Sequence, residues 1–225
     1  MKNSLLCKYF VVVIFICLTT HLYGGNNQKR EFSILSPTFV EEQPNSILVM
    51  LPINNTNNVA AKDYFYASLY QFLVERGYYV FPPELSLEIL QGGSAYDSEE
   101  FYNKDVSVFG SIFGADAVLF TIINKWNRSS SGVYVSINYK LVSTRSSKKL
   151  YTSDIDYFFN TDVLPTNYFD DDDDFKESVA ATILSLISLT ANSVSSVATP
   201  IMVSAMKANH LAFSKLPNGK YWVEK

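Results

Sequence analysis

Cysteine and histidine are nearly absent from this chain of 225 residues. Both cysteines, Cys7 and Cys17, lie in an apolar N-terminal segment, so a domain that follows it can have no disulfide, cysteine nucleophile or thiolate metal site. Beyond His21, histidine occurs only at His210. A Ser-His-Asp triad would depend on that one residue, and a zinc site would need carboxylates almost throughout. We therefore predict no catalytic residues, no metal and no cofactor.

The chain also lacks an excess of positive charge. Lys and Arg number 18 against 22 Asp and Glu, which gives a net charge of -4. Without a dense basic patch, nucleic acid is not expected as a partner. Aromatic residues, by contrast, make up 15% of the chain, and together with the aliphatic residues they suffice for the core of one domain.

The N-terminus has the layout of a secretory signal peptide. Basic residues precede an uncharged apolar run from Tyr9 to Leu18, and the small residues Gly24 and Gly25 come before a polar stretch. The apolar run is shorter than the roughly 20 residues that span a bilayer. We therefore predict a signal peptide over residues 1–25 rather than a membrane helix.

Two ways of processing this signal remain open. Acylation of Cys17 would make the protein a lipoprotein, but Ile16 is bulky where lipoprotein signals carry a small residue. Ordinary cleavage near Gly25 is the alternative, although Leu22 and Tyr23 fit the small-residue rule for cleavage poorly. Cys17 is the candidate lipidation site, and acylation there would attach the protein to a membrane.

Residues 26–45 are mostly polar and include Pro37 and Pro44. This composition predicts an extended leader between the membrane and the folded domain. The fold is expected to begin at Ser46 and to continue as a single α/β domain over residues 46–225, a length typical of one domain with C-terminal helices.

The domain opens with the pattern of a parallel βαβ unit. Ile47 to Leu51 is a continuous apolar run that predicts a buried strand, and Val59 to Arg76 repeats apolar residues at helical spacing. Tyr78 to Phe81 and Ala115 to Lys125 predict two more strands. Short helices are predicted between them, over residues 84–90 and 105–113. Alternating strands and helices favour parallel pairing with helices on the faces of the sheet.

The pattern then changes to an antiparallel one. Val133 to Val142 alternates apolar and polar residues, and with Lys149 to Phe159 it predicts a hairpin that has one solvated face and supplies an edge strand. Val179 to Met206 has no charge, but its serines make it too polar for lipid, and Pro200 is expected to divide it into two helices. The predicted fold is therefore α/β: a mixed sheet with a parallel βαβ start, an antiparallel hairpin, helices on the faces and a C-terminal helical pair.

Three asparagines after the first strand are the candidate ligand-binding residues: Asn54, Asn55 and Asn57. In open α/β sheets, ligands bind in the crevice at the carboxyl ends of the strands. Capping of the following helix explains the same residues without a ligand. The loop has no glycine-rich phosphate cradle, and no nucleophile in the chain is recognisably paired with a base.

Two acidic features need an explanation. Asp116 lies between two alanines at the start of a buried strand, where we expect its carboxylate to bond backbone N–H groups rather than to act as a catalytic acid. The run from Asp170 to Asp174 lacks the ligand spacing, glycine and distal glutamate of a calcium loop. We expect this run to lie at or before a helix N-terminus.

Several segments resemble a family of bacterial lipoproteins of unknown function typified by a genome-derived neisserial antigen. These segments are Pro44 to Thr56, Glu75 to Pro82, Ile112 to Leu119 and Leu216 to Gly219. The resemblance implies an envelope protein in the periplasm or outer membrane of a Gram-negative bacterium, acylated on cysteine. It also implies an α/β domain similar to the amino-terminal domain of TolB and no enzymatic activity.

Members of that family are often encoded beside a lipoprotein similar to the curli secretion channel, so a partner of that kind is implied. Two hypotheses follow. The first is a non-enzymatic interaction module in an outer-membrane or periplasmic assembly, which binds other envelope proteins through an edge strand and exposed aromatic residues. The second is a small-ligand-binding protein that uses the crevice after the first strand.

Overall fold

The computed structural model describes residues 30–59, 61–92, 97–160 and 198–224. The predicted signal peptide with Cys17, and the acidic run at residues 170–174, lie outside these ranges. The elements of the described residues are, in chain order, β1 (Arg30–Leu35), α1 (Pro37–Glu42), β2 (Ser46–Val49), β3 (Ile53–Asn54), α2 (Ala61–Glu75), β4 (Tyr79–Val80), α3 (Pro83–Gly92), α4 (Ser98–Phe101), α5 (Ser107–Phe113), β5 (Ala117–Arg128), β6 (Gly132–Ser143), β7 (Lys149–Asn160) and α6 (Ala198–Ser214).

The described strands form one mixed sheet of seven. Its order is β1-β7-β6-β5-β2-β4, with β3 also paired to β5. β2 pairs in parallel with β4 on one side and with β5 on the other. β5, β6, β7 and β1 pair antiparallel in succession. The predicted fold class, a mixed sheet with a parallel start and an antiparallel hairpin, is confirmed.

Helices cover both faces of the sheet, and each face has its own core. We call the face that carries α2 and α6 the inner face; Phe65 and Leu69 of α2 and Phe213 of α6 are buried against it. The other face, the outer face, carries α3, α4 and α5 over Leu48 and Phe120. Burial of these large side chains, at about 25 cal/mol per Å² of apolar surface, is the main force that holds the layers together.

The described fold begins earlier than the expected boundary at Ser46. Residues 30–35, which we expected in the extended leader, form β1 and pair with β7 along their whole length. Pro37 is the first residue of α1, where a missing N–H costs nothing, and the side chain of Ser36 caps this helix by accepting from Thr38 N. Phe39, only 6% exposed, anchors α1 to the inner core. The proline and the polar residues therefore mark a helix start rather than a linker.

One C-terminal helix lies among the described residues, where the sequence predicted a pair. α6 runs from Ala198 to Ser214 and includes Pro200 near its start, a position that tolerates proline. The first helix of the expected pair lies outside the described residues. Among the helices of the described ranges, none is long and apolar enough to cross a membrane.

Candidate functional site

The loop that carries the three predicted asparagines, residues 54–58, is held mainly by its own hydrogen bonds. Asn54 Nδ2 donates to the carbonyl oxygen of Asn58 at 2.8 Å. Asn54 Oδ1 accepts from the backbone N–H of Thr56 at 3.0 Å and from its hydroxyl at 2.7 Å. Both ends of the Asn54 amide are thus used to close a turn before α2, which is a common role of asparagine in loops.

The other two predicted asparagines lie in different surroundings. Asn57 is exposed, whereas Asn55 Nδ2 donates to Asn124 Oδ1 at 3.4 Å. Asn124 Nδ2 donates to Asn138 Oδ1, and Asn138 Nδ2 to Asp154 Oδ1, both at 2.5 Å. The structure therefore does not bring the three predicted residues together; it joins Asn55 to a row of polar side chains on β5, β6 and β7. The outward positions of the alternating hairpin were the only sequence signal for this row.

The carboxyl end of β2 is occupied by the chain itself. Met50, the first residue after β2, is fully buried. Ser98, the first residue of α4, is 5% exposed and donates its hydroxyl to the carbonyl oxygen of Leu51 at 2.5 Å. Ile53 is also buried. Protein atoms thus occupy the position where a ligand would approach the end of this strand.

Asp116 has the structural contacts expected of it. Its Oδ2 atom accepts from the backbone N–H groups of Asn45 at 2.9 Å and Ser46 at 3.0 Å. The Ser46 hydroxyl also lies 3.0 Å from this oxygen and 2.9 Å from the backbone nitrogen of Asp116. The carboxylate thereby joins the start of β2 to the start of β5, two strands that are far apart in the chain.

The exposed apolar residues of β1 form a second surface, at the edge of the sheet. Phe32, Ile34 and Leu35 are 60%, 52% and 40% exposed. We refer to these three residues and the backbone of β1 as the β1 edge. The hairpin was expected to supply the edge strand, but β1 pairs with β7 and is the last strand on that side of the described sheet. Apolar side chains in an exposed edge strand are uncommon in proteins that remain unpaired, because such edges associate.

Lys140, a half-buried lysine of β6, lies on the outer face of the sheet. The Lys140 ammonium is 3.2 Å from the centre of the Tyr102 ring and donates to the Tyr102 carbonyl oxygen. Burial, with a smaller contribution from the nearby charge of Lys149, lowers the Lys140 pKa to about 8.

His210, the histidine that any triad would have required, packs its ring edge-on against Phe72 at 5.9 Å.

Together these features define a class of protein: an α/β domain with a mixed seven-stranded sheet, whose described polar clusters bond the chain to itself and whose sheet edge carries exposed apolar residues. The chain belongs to the family described as "Putative lipoprotein GNA1162-like", whose model matches residues 36–214. The family expected from the sequence is confirmed. Membership of a lipoprotein family implies export to the cell envelope.

Individual relatives agree with this assignment. The chain is 31% identical over 119 residues to "Putative lipoprotein NMB1124/NMB1162" of Neisseria meningitidis serogroup B, a match that covers 51% of this chain and 55% of that protein. The match thus spans about half the length of this curated relative.

Two solved structures are similar to parts of this chain. Lipoprotein GNA1162 from Neisseria meningitidis has a TM-score of 0.50 at 24% identity, over 68% of this chain and all of that one. The PelC dodecamer from Paraburkholderia phytofirmans has a TM-score of 0.49 at 10% identity, over 86% of this chain and 99% of that one.

Proposed function

We propose that this protein is a non-enzymatic, lipid-anchored component of an outer-membrane or periplasmic assembly, and that it acts by binding another envelope protein. The observation that carries the proposal is the β1 edge, where three apolar side chains are exposed along a strand at the end of the sheet. Membership of a lipoprotein family supports the location. A lipoprotein similar to the curli secretion channel is the partner that the family resemblance suggests.

A non-catalytic role is supported by the way polar groups are used. Asn54 closes its own turn, and Asp116 joins two strands through backbone N–H groups. The His210 ring packs against Phe72. Catalysis needs a nucleophile or base aimed at an accessible reacting atom. These residues instead bond or pack within the fold.

The anchor would hold the domain close to its membrane. Twelve residues lie between Cys17 and Arg30, the first residue of β1. A fully extended chain spans at most about 3.5 Å per residue, so acylated Cys17 would keep β1 within about 45 Å of the lipid surface. The partner is therefore expected in, or attached to, the same membrane.

Purification from gently solubilised envelopes of the native cell tests the proposal. The full chain would carry a C-terminal tag, and proteins recovered with it would be identified and quantified by mass spectrometry. We expect one envelope protein in fixed proportion. A Cys17→Ser variant should leave the membrane fraction, whereas Cys7→Ser should not. Recovery of the bait alone would contradict binding to another envelope protein. Unchanged membrane attachment of Cys17→Ser would contradict the lipid anchor.

A small-ligand site is the second candidate function, because Asn55 joins the polar row Asn124, Asn138 and Asp154 on the outer face. Amides and carboxylates in a row offer both donors and acceptors to a polar ligand. A thermal-shift screen of polar metabolites, repeated with Asn55→Ala and with Asn54→Ala as the comparison, tests it. A ligand that stabilises the wild type and Asn54→Ala but not Asn55→Ala would favour this function. A screen without hits would count against it.

A further inference from the structure

Two helices of the outer face, α3 and α5, carry apolar side chains that the described chain leaves exposed. The four residues are between 41% and 54% exposed: Leu85, Ile89, Val108 and Ile112. Within each helix the two residues are four positions apart, so their side chains lie one turn apart on the same side. Leu90 of α3 and Phe109 of α5 are instead buried in the core of the outer face. The exposed pairs are therefore not needed to fill that core.

Aromatic contacts connect the start of α3 to the end of α5. Phe81, two residues before α3, packs edge-on against Phe113, the last residue of α5, with 5.7 Å between the ring centres. Tyr79 of β4 is half exposed and packs against Phe81 at 5.1 Å. The exposed residues of both helices thus lie on one part of the outer face. We call Tyr79 and the four aliphatic residues the α3–α5 surface. Exposed apolar surfaces that extend over several residues usually mark a binding site.

The segment that contains these helices is strongly acidic. Six acidic residues and one basic residue lie in the range Pro83–Phe113, so this segment carries more negative charge than the whole chain, whose net charge is -4. The base, Lys104, pairs with Glu100 at 2.9 Å. Glu84 and Glu88 of α3 are exposed, and each directly precedes one of the exposed apolar residues. α3 therefore presents an acidic stripe beside its apolar one.

From this arrangement we propose that the α3–α5 surface binds a positively charged amphipathic helix of another protein. The apolar face of that helix would cover Leu85, Ile89 and Ile112, and its lysines or arginines would face Glu84 and Glu88. Amphipathic helices bind apolar surfaces in this way through residues at helical spacing. The inference goes beyond the proposed function, because β4 and β1 are the end strands on opposite sides of the described sheet.

The charge of the α3–α5 surface disfavours two other occupants. Two copies of the chain joined here by two-fold symmetry would bring the carboxylates of Glu84 and Glu88 from both molecules together, and like charges across an interface are unfavourable. A membrane that contains anionic lipids would repel the same carboxylates. A cationic amphipathic helix, by contrast, gains both from apolar burial and from charge attraction.

Titration of the full chain with a model peptide, followed by NMR, tests this inference. The probe repeats the sequence Leu-Lys-Lys-Leu-Leu-Lys-Leu twice, which places its leucines on one face of a helix. The control peptide has glutamate at every lysine position and keeps the leucines. We expect the lysine peptide to shift the resonances of α3 and α5, and the glutamate peptide to shift none. Added salt should weaken the binding, because the charges involved are exposed.

A double variant measures the apolar contribution. Leu85→Gln, Ile112→Gln removes apolar surface at exposed positions, so its Tm should stay close to that of the wild type. The matched control is Val40→Gln, Val74→Gln, which alters exposed valines of α1 and α2. We expect the first variant to bind the lysine peptide about ten-fold more weakly than the wild type, and the control to differ by less than about two-fold.

A second double variant measures the contribution of charge. Glu84→Gln, Glu88→Gln removes two carboxylates beside the apolar residues and should also weaken binding of the lysine peptide about ten-fold. The matched control is Glu41→Gln, Asp63→Asn, which removes two exposed carboxylates from α1 and α2. Binding by this control should stay within about two-fold of the wild type.

Each of the other outcomes would overturn the inference. Shifts confined to residues 170–174 would mean that the acidic run there attracts the peptide. Weaker binding by the charge variant alone would mean that the surface takes a cation without an apolar face. Sedimentation of the wild type, but not of Leu85→Gln, Ile112→Gln, with phosphatidylglycerol vesicles would assign the surface to a membrane. Equal binding by all variants, or none by the wild type, would exclude the surface. These results leave partner binding through the β1 edge to its own test.

Discussion

At the scale of single residues, Gly77 shows how closely the C-terminal segment approaches the core of the fold. Gly77 has a φ of +79°, and a Cβ built on it would lie 2.1 Å from the backbone nitrogen of Trp222. The segment is held there by bonds from Tyr221 N to the Gly77 carbonyl at 2.9 Å and from Gly219 N to the Arg76 carbonyl at 2.7 Å. Neither the backbone angle nor the space admits a side chain.

Gly77→Ala should therefore lower the free energy of unfolding by more than about 1 kcal/mol. Gly92→Ala is the matched control, because a Cβ there meets nothing within 4 Å. Urea denaturation of both variants measures the difference. Equal stability of the two would contradict the close approach of Trp222.

Asp116→Ala should cost about 2 kcal/mol, because two backbone N–H groups lose a charged acceptor. Asp116→Asn keeps one oxygen and should cost less. Thermal melting of both variants, with envelope recovery measured in parallel, checks the structural role. An Asp116→Asn variant that melts like the wild type but no longer recovers its partner would show that the residue acts in function instead.

Lys140 provides a prediction of pH dependence. Its pKa is lowered to about 8 from an ordinary value near 10.5, so the unfolded chain holds this proton more tightly than the folded one. Stability from this group should therefore rise as pH increases through 8 and level off near 10.5. The difference in Tm between the wild type and Lys140→Met should shift in favour of the wild type as the pH rises from 7 to 9.5. A Tm difference that stays constant over this range would contradict the shift.

At the scale of elements, buried hydrogen bonds fix α6 on the inner face. The Tyr139 hydroxyl donates to Asn209 Oδ1 at 2.6 Å, and Asn209 Nδ2 donates to Ser68 Oγ at 2.7 Å. One asparagine thus links β6, α6 and α2. Trp126 Nε1 adds a bond to Ser204 Oγ at 3.1 Å nearer the start of the helix. Buried polar groups of this kind orient a helix whose apolar surface alone would allow several positions.

Tyr139→Phe should destabilise the protein by about 1–3 kcal/mol, because Asn209 Oδ1 stays buried without its donor. Tyr70→Phe on the exposed side of α2 is the control and should change little. A double variant Tyr139→Phe, Asn209→Leu should lose less than the sum of the two single changes. Additive losses would mean that the bond does not couple β6 to α6.

The elements also show what sequence could and could not predict. β5 was predicted because it is a mostly apolar run, β6 because its apolar and polar residues alternate, with β7 as its partner in a hairpin, and α2 because its apolar residues follow the helical period. β1 was missed because its exposed side chains, Phe32 and Ile34, are the apolar ones, while the inward side chains of Glu31 and Ser33 are polar. Its partner β7 follows more than 100 residues later, and no local pattern specifies such a pairing.

The same contrast between local and long-range contacts applies to the candidate site. The position of Asn54 before a helix predicted its turn, which local hydrogen bonds complete. The row from Asn55 through Asn124 and Asn138 to Asp154 depends on the register of three strands, including a shift between Ile123 and Lys125. A one-residue change of register would turn these side chains to the other face. The row was therefore beyond prediction.

At the scale of the whole molecule, the two ends of the described chain reach different parts of the sheet. β1 occupies one edge and β4 the other, which places them about 24 Å apart at the usual strand spacing. The C-terminal segment crosses to the turn before β4 through its bonds to Arg76 and Gly77. An N-terminal lipid anchor would join the described chain at the β1 edge, about 24 Å across the sheet from β4.

Quantitative recovery of a partner from the native envelope tests the central claim most directly. Tagged wild type, the double variant Phe32→Lys, Ile34→Lys, and Val40→Lys would be expressed at equal levels and purified side by side. Val40 is the matched control because it is 63% exposed but lies on α1. We predict one envelope protein in fixed proportion with the wild type and with Val40→Lys, and its loss with the double variant. Equal recovery with all three proteins, or no partner with any of them, would contradict binding through the β1 edge.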